Sequence, residues 1–215
     1  MVMPESWPYF SAGITESGPI APWNARPQFV YDAVYKSLLE QTNCTSIDCL
    51  RQLNATELMK LNSDTAERNV TDIVAYNFLS WAPVIDGKDL VEHPLKLMKA
   101  GKIHKVPMLV GTNLNEGTEF VRGMGHDGNA SDLSAWILKN FGPVYAPKVA
   151  AMYPISSYKS PWWVAVQIIT DSFMTCPSRA FIRAVTKNQP GFLYQVGRKN
   201  KCRRNISHFS PQSND

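Results

Sequence analysis

The feature that most restricts the fold of this chain is a short apolar run at residues 106–112, Val-Pro-Met-Leu-Val-Gly-Thr, with turn-forming residues after it. A strand with one solvent-exposed face alternates apolar and polar residues, and this run does not. It therefore predicts a strand that is covered on both faces. Further strands are predicted at residues 12–16 and 191–196. Helices cover both faces of a parallel sheet, so the run indicates an α/β fold with a mostly parallel sheet.

Helical patterns occupy the segments between the predicted strands. Apolar residues recur at helical spacing from residue 28 to residue 39, and Asn54 with Glu57 three residues later predicts a capped helix start. Pro94 suits the first position of another helix, and Gly101 would end it. More helices are predicted at residues 132–141, 147–152, 161–175 and 177–187. Strands that are separated by helices are typical of an α/β fold.

The positive charge of the chain is concentrated after residue 196. The chain has 22 Lys and Arg against 18 Asp and Glu, but five of the bases and one of the acids lie in residues 197–215, which leaves 17 of each sign in the rest. A neutral body does not predict a nucleic-acid-binding face. The strand pattern also stops at Val196, so we divide the chain into a folded domain at residues 1–196 and a basic, polar tail at 197–215 that we expect to be disordered.

Glycosylation sequons and cysteines indicate an oxidising compartment. Five N-x-S/T sequons are present, three of them within 27 residues, and this density favours a secreted protein. We expect glycans at Asn43, Asn54, Asn69 and Asn129. A disulfide between Cys44 and Cys49 would fit the same compartment. The first seven residues lack the basic and apolar regions of a signal peptide, so we expect a secreted parent to carry that peptide outside this chain.

The sequence has no motif for a metal, an organic cofactor or a membrane span. It contains neither a CxxC pair nor a cluster of histidines, so a zinc site is not predicted. No apolar run reaches the roughly 18 residues that a transmembrane helix needs. The pairing of Cys176 and Cys202 and the oligomeric state stay open.

One turn carries the most informative candidate for chemistry. Residues 110–117, Val-Gly-Thr-Asn-Leu-Asn-Glu-Gly, join the buried strand to a turn rich in Asn and Gly, with Glu116 at its tip. In open α/β sheets, functional groups collect at the carboxyl ends of the strands. A carboxylate there can orient a histidine and stabilise the imidazolium formed during acyl transfer. The alternative for this residue is a solvated surface charge.

Several segments, in order, resemble the type-B carboxylesterase/lipase family, which includes the cholinesterases. Met3 to Gly18 resembles the stretch just after the family's nucleophile turn, Pro22-Trp23 follows at the expected place, and Cys44 to Arg51 resembles a disulfide loop. Later blocks that resemble the family in order lie at residues 82–87 with 94–101, at 106–120, at 170–177 and at 192–194. The resemblance covers about residues 1–196 and implies an incomplete α/β-hydrolase fold, the C-terminal portion of a mostly parallel sheet flanked by helices.

The resemblance also implies roles for individual residues. Glu116 matches the triad acid, and Ser17 matches a serine that lies beside that acid and can hydrogen-bond it. Residues matching regions that wall the substrate pocket are Trp23, Phe78, Leu79 and Trp81, for which ordinary core packing is the alternative. The implied reaction is hydrolysis of a small carboxylic ester through an acyl-serine, without metal or organic cofactor.

Two parts of the family's active site have no match in this sequence. It contains no G-x-S-x-G turn for the nucleophile and no His-Gly motif for the base, and its histidines are His93, His104, His126 and His208. We therefore expect the chain by itself to be inactive as an esterase. Two other interpretations stay open: part of a non-catalytic, cholinesterase-like adhesion protein, or an incomplete product with no function of its own. The residue at the nucleophile position, upstream of Met1, would separate an esterase from an adhesion protein.

Overall fold

The computed structural model describes residues 1–67, 81–187, 189–197 and 207–209, with side chains at all of these except 62–67 and 207–209. Contacts divide the chain into a smaller unit, residues 22–96, and a larger unit, residues 1–21 with 97–215. The strands in chain order are β1 (Gly13–Glu16), β2 (Arg26–Pro27), β3 (Val84–Ile85), β4 (Met108–Asn113), β5 (Gly191–Val196) and β6 (Ser207–Phe209). The α-helices in chain order are α1 (Gln28–Thr42), α2 (Ile47–Arg51), α3 (Ala55–Glu67), α4 (Pro94–Lys99), α5 (Ala130–Met152), α6 (Pro161–Ile169) and α7 (Cys176–Val185).

The larger unit is built on a four-stranded sheet in the order β1-β4-β5-β6. β1 and β5 both pair with β4 in parallel, and β6 pairs with β5 in antiparallel orientation. The three predicted strands are therefore confirmed, with the apolar one at the centre. Val110 and Gly111 point to opposite faces of β4 and both are buried, as the prediction of a strand covered on both faces requires. β6 lies within the segment after Val196; the domain boundary there stays a prediction.

The ring of Tyr194 in β5 lies so close to the backbone of β4 that only glycine fits at position 111. Glu16, Gly111 and Tyr194 form one row across the three parallel strands. A Cβ on Gly111 would lie 1.9 Å from Cζ of Tyr194, so the tyrosine ring occupies the space over the glycine backbone. Desolvation, together with the negative charge of Glu16, raises the pKa of Tyr194.

The helices predicted at residues 132–141 and 147–152 both lie in α5, where Gly142 has a non-helical backbone and a kink separates two helical segments. This glycine has a φ of 70°, and Pro143 follows it without an N–H to continue the helical ladder. Asn129 caps the start of α5, since its Oδ1 accepts the N–H of Ser131 at 2.7 Å, while Asp132 Oδ2 accepts the N–H of Asn129 at 2.8 Å. The reciprocal pair is a capping box, which satisfies amides that the first turn leaves unbonded.

The stretch predicted as one helix from residue 161 to residue 175 changes its hydrogen bonding partway. α6 covers its first nine residues, and Thr170–Thr175 form a π-helix that continues into α7. Pro177 has no N–H and its ring opposes the carbonyl one turn back, so an α-helical ladder cannot run through it, and the wider π turn ends just before it. α5 and α6 enclose the main apolar cluster, which contains Met124, Leu133, Trp136, Ile137, Trp162, Val164, Ala165, Val166, Ile168 and Ile169.

The smaller unit contains α1, α2, α3 and the short parallel pair β2–β3. α1 begins where it is predicted and ends before Asn43, whose φ of 55° lies in the left-handed region. The predicted disulfide between Cys44 and Cys49 is present and joins the end of α1 to α2. Asn54 caps α3 by accepting an N–H of its first turn at 2.8 Å. α2 has only five residues, too few for helical periodicity to predict it.

Candidate active site

Glu116 lies in the turn that follows the central strand β4. The turn enters a short 3-10 helix, Glu116–Glu119, directly after the strand. The Glu116 side chain folds back towards the strand end, where its Oε1 accepts the backbone N–H of Asn113 at 2.6 Å. Leu114 N–H donates to the carbonyl of Val196 at 2.7 Å, which ties the same turn to the end of β5. Glu116 is only 8% exposed as a residue, so the sequence-based alternative of a solvated surface charge is wrong.

Ser17 brings the end of β1 to the same carboxylate. Its φ of 57° lies in the left-handed region, which a residue other than glycine seldom adopts. Its N–H donates to the carbonyl of Gly111 at 2.8 Å, and its hydroxyl donates to Oε1 of Glu116. Backbone strain of this kind is kept only where the surroundings hold it in place, and it occurs often at functional sites.

Both hydrogen-bond donors reach the same oxygen of Glu116. Ser17 and Asn113 bind Oε1, and in the portion of the chain that the structure describes no donor reaches Oε2. Neither of the two ion pairs in that portion involves Glu116. The arrangement therefore orients an anionic acceptor with one oxygen available to a further donor.

The described histidine side chains are occupied elsewhere. His104 stacks on Trp7 with ring centroids 5.2 Å apart, and His126 stacks on Trp162 at 3.9 Å. His93 Nε2 lies 3.2 Å from the carbonyl oxygen of Pro22. None of these three contacts Glu116, so the described side chains do not supply a base to this acid.

The free thiol in the described part of the chain is not an activated nucleophile. Cys176 is exposed and unpaired. Desolvation and the negative charge of Asp171 raise the pKa of its thiol, so little reactive thiolate forms at neutral pH. Among the same residues, no group of three acidic, histidine or cysteine side chains is placed to hold a metal ion, and no helix is long and apolar enough to cross a membrane.

The other predicted site residues lie apart from this turn in the chain. Trp23 is half-buried and Trp81 is 47% exposed, and both belong to the smaller unit. Phe78, Leu79 and the sequon residue Asn69 lie outside the described residues. The sequon residues Asn43, Asn54 and Asn129 are exposed. The pocket and glycosylation assignments therefore stay predictions.

Sequence reasoning missed two groups that hold the acid's turn. One is the amide of Asn113, which any residue type could supply. The other is Thr170, whose hydroxyl bonds the backbone of Gly117 at 2.9 Å across 53 residues of sequence. The Asn113 amide is backbone and Thr170 is 53 residues from Gly117, so no local sequence pattern marks either one.

Comparison with known proteins identifies what this fold and site are similar to. A sequence model of the carboxylesterase family matches residues 1–214. The chain is 30% identical over 128 residues to a cholinesterase of Mus musculus, in an alignment that covers 56% of this chain and 20% of that protein. It is 32% identical over 117 residues to the secreted triacylglycerol lipase LIP1 of Gibberella zeae, covering 52% of this chain and 19% of the lipase.

A solved structure of a thermophilic PNB esterase has the same fold. It superposes with a TM-score of 0.68 at 23% identity, over 95% of this chain and 41% of the esterase chain. The predicted α/β-hydrolase class is thereby confirmed. The chain spans about a fifth of the length of the two curated relatives and less than half of the solved esterase.

Proposed function

This chain belongs to the carboxylesterase family, and from that premise we propose that Glu116 is the acid of a Ser-His-Glu triad in a carboxylic ester hydrolase. One observation carries the proposal. Glu116 is buried at the carboxyl end of the central parallel strand, with Oε1 bound by Ser17 and Asn113 and with Oε2 left without a donor in the described region. Such a carboxylate suits the role of orienting a histidine.

In the proposed reaction, a serine hydroxyl attacks the ester carbonyl carbon while the histidine takes its proton. The resulting tetrahedral intermediate expels the alcohol, which receives that proton, and leaves an acyl-serine that water then hydrolyses. Oε2 of Glu116 accepts the histidine's other N–H and stabilises the imidazolium at each step. Because Ser17 and Asn113 already hold the carboxylate, it need not reorganise when the imidazolium forms.

The 215-residue chain by itself is proposed to have no triad-dependent activity. Its sequence contains neither a G-x-S-x-G turn nor a His-Gly motif, and the described histidines contact other groups. In serine hydrolases, loss of the nucleophile or the base is about as costly as loss of the whole triad. An acid acts only through its histidine, so Glu116 alone cannot supply the reaction.

We also propose a secreted, glycosylated parent protein that acts on a small ester. The Cys44–Cys49 disulfide suits an oxidising compartment, and three of the predicted sequon asparagines are exposed. One curated relative carries the description of a secreted lipase. No metal and no organic cofactor enters this proposal.

The first prediction tests the acid directly. A longer protein, extended to include the nucleophile turn and the histidine segment, should hydrolyse short-chain nitrophenyl esters, and Glu116→Gln should lower its kcat by about 10³- to 10⁴-fold, because the histidine loses its orienting carboxylate. Glu119→Gln is the matched control, since Glu119 lies in the same 3-10 helix but is exposed. Its turnover should equal that of the unaltered protein.

Two results would contradict the proposal. Equal turnover of the Glu116→Gln and Glu119→Gln proteins would exclude Glu116 as the acid. Saturable turnover by the 215-residue chain that vanishes in Glu116→Gln would reveal a nucleophile and a base within it. A residue other than serine at the nucleophile position of the longer protein would instead favour the non-catalytic, adhesion-type alternative.

A further inference from the structure

The peptide bond that follows Glu116 is anchored to a distant helical element. The N–H of Gly117 donates to Oγ1 of Thr170 at 2.9 Å, and that hydroxyl donates to the carbonyl of Val166 at 2.8 Å. Thr170 is fully buried at the junction of α6 and the π-helix. A backbone N–H can only donate, so the hydroxyl oxygen accepts from Gly117 while its own proton goes to Val166. Both hydrogen bonds of this hydroxyl are therefore made at once.

Gly117 allows this contact because it has no side chain. A Cβ at this position would lie 2.2 Å from the carbonyl oxygen of Val166 and 3.0 Å from Cβ of Ile169. The backbone of the turn thus packs directly against the backbone of α6. Gly117, the residue after Glu116, is therefore held by a hydrogen bond to Thr170 and by close contact with the backbone of Val166.

We infer that Thr170 is a positioning residue for Glu116, a role that rests on the function proposed above. Three points determine where the carboxylate lies: the hydroxyl of Ser17, the amide of Asn113, and the Gly117 peptide held by Thr170. The first two act on the carboxylate itself, and Thr170 acts on the backbone that carries it. Loss of the Gly117 anchor would let the backbone after Glu116 shift, and a displacement of the Glu116 Cα would carry Oε1 away from its donors.

The chain offers a closely matched control for this role. Thr175 lies on the same π-helix and is also buried, but its hydroxyl has no hydrogen-bond partner within the described residues. Thr170→Val and Thr175→Val make the same change in the same element, but only Thr170→Val loses hydrogen bonds, those to Gly117 and Val166. Thr170→Ser retains the hydroxyl and should behave like the unaltered chain.

Amide hydrogen exchange of the longer protein tests the anchor independently of activity. In Thr170→Val, exchange of the Gly117 amide and the peptide around residues 113–121 should accelerate by roughly tenfold, because a buried N–H loses its acceptor. Thr170→Ser and Thr175→Val should exchange at the rate of the unaltered protein. Unchanged exchange in Thr170→Val overturns the inference. Acceleration that spreads equally through α7 also overturns it, since that pattern indicates a general structural role.

Kinetics of the longer, active protein separate this inference from the proposed function. Thr170→Val should lower kcat by about 10-fold or more with KM nearly unchanged, and Thr170→Ser should restore kcat, because substrate binding does not depend on the acid. If Glu116→Gln lowers turnover but Thr170→Val does not, the positioning role is wrong and the triad proposal stands. If Glu116→Gln has no effect, the triad proposal fails, whereas the exchange result still decides whether Thr170 holds the turn.

Discussion

Ser17 combines an unfavourable backbone conformation with a hydrogen bond to a buried carboxylate. Its φ of 57° costs conformational energy for any residue except glycine, and its hydroxyl binds the buried carboxylate of Glu116. Ser17→Ala keeps the strained backbone and loses the hydrogen bond, so it should lower the free energy of unfolding by about 1.5–3 kcal/mol. Ser17→Gly loses the same bond but relieves the strain, so its loss should be smaller. Urea unfolding measures both, and equal stability of Ser17→Ala and the unaltered protein would contradict the expected order.

Tyr153 makes the stability of the larger unit depend on alkaline pH. Its hydroxyl donates to Asp171 Oδ2 at 3.1 Å, and desolvation together with the charge of Asp171 raises its pKa well above the usual value near 10. Above about pH 10 the folded state holds a proton that the unfolded chain releases, so the free energy of unfolding should fall as pH rises. Below that pH the contribution is fully present.

Substitutions at this pair distinguish the two causes of the shift. Tyr153→Phe should flatten the alkaline fall, and Asp171→Asn should reduce it only in part, because desolvation is the larger cause. A residual slope is expected from Tyr158 and Tyr194, whose pKa values burial also raises. Thermal unfolding between about pH 9 and 11.5 provides the measurement. A slope in Tyr153→Phe as steep as in the unaltered protein would contradict the assignment.

The link between α1 and α2 is covalent, and its effect on stability belongs to these two elements. Cys44 and Cys49 are five positions apart, and a loop of that length should contribute about 2 kcal/mol through the lost freedom of the unfolded chain. Replacing both cysteines by alanine should lower the free energy of unfolding of the smaller unit by that amount. Cys176→Ala, which removes the free thiol of the described region, is the control. Peptide mapping without reduction should show the linked pair, and free thiols in secreted protein would refute the pairing.

The junction of α6 and α7 shows how one element can carry two hydrogen-bonding patterns. Apolar residues at helical spacing predict a continuous helix, and the chain is continuous there. The π turn inserts one residue per turn relative to an α-helix, which shifts the faces of all later residues. Thr170 lies where this change begins, so its hydroxyl meets the acid's turn. The start of the π-helix at Thr170 therefore determines which side chain contacts the residue after Glu116.

At the scale of the whole molecule, β1 leaves one side of the sheet open within the described residues. β1 pairs with β4 alone among the described strands, and Ile14 is 69% exposed. A parallel sheet with an open, apolar edge can pair with other chains, so the isolated 215-residue chain should aggregate. Ile14→Lys should raise its solubility, measured by light scattering during concentration. Val144→Lys is the matched control, because Val144 is also 69% exposed but lies on α5.

Two results would contradict aggregation through the β1 edge. A soluble monomer of the unaltered chain with a cooperative thermal transition would show that the edge does not limit stability. Equal solubility of Ile14→Lys and Val144→Lys would show that surface charge, and not the edge, controls aggregation.

Local patterns predicted the three parallel strands, the longer helices and a candidate carboxylate at Glu116. The apolar run at residues 106–112 predicted the central strand because a run without alternation must be buried on both faces. Glu116 drew attention because it follows that strand at the edge where functional groups collect. The ordered resemblance of residues 1–196 to the carboxylesterase family indicated the fold and the neighbouring serine. The apolar run and the position of Glu116 are local signals, and the family resemblance depends on the order of several such segments along the chain.

The contacts that hold the acid depended on tertiary structure. Ser17 and Glu116 are 99 positions apart, and Gly117 and Thr170 are 53 apart. Periodicity determines which face of an element is buried, but it does not determine which residue of one element meets which residue of another. That depends on strand register, on the kink at Gly142 and on the change from α- to π-helix at Thr170. The chain's sequence alone thus indicated a candidate carboxylate after β4, and only the packed structure decided that it is buried, with one oxygen bound and the other available.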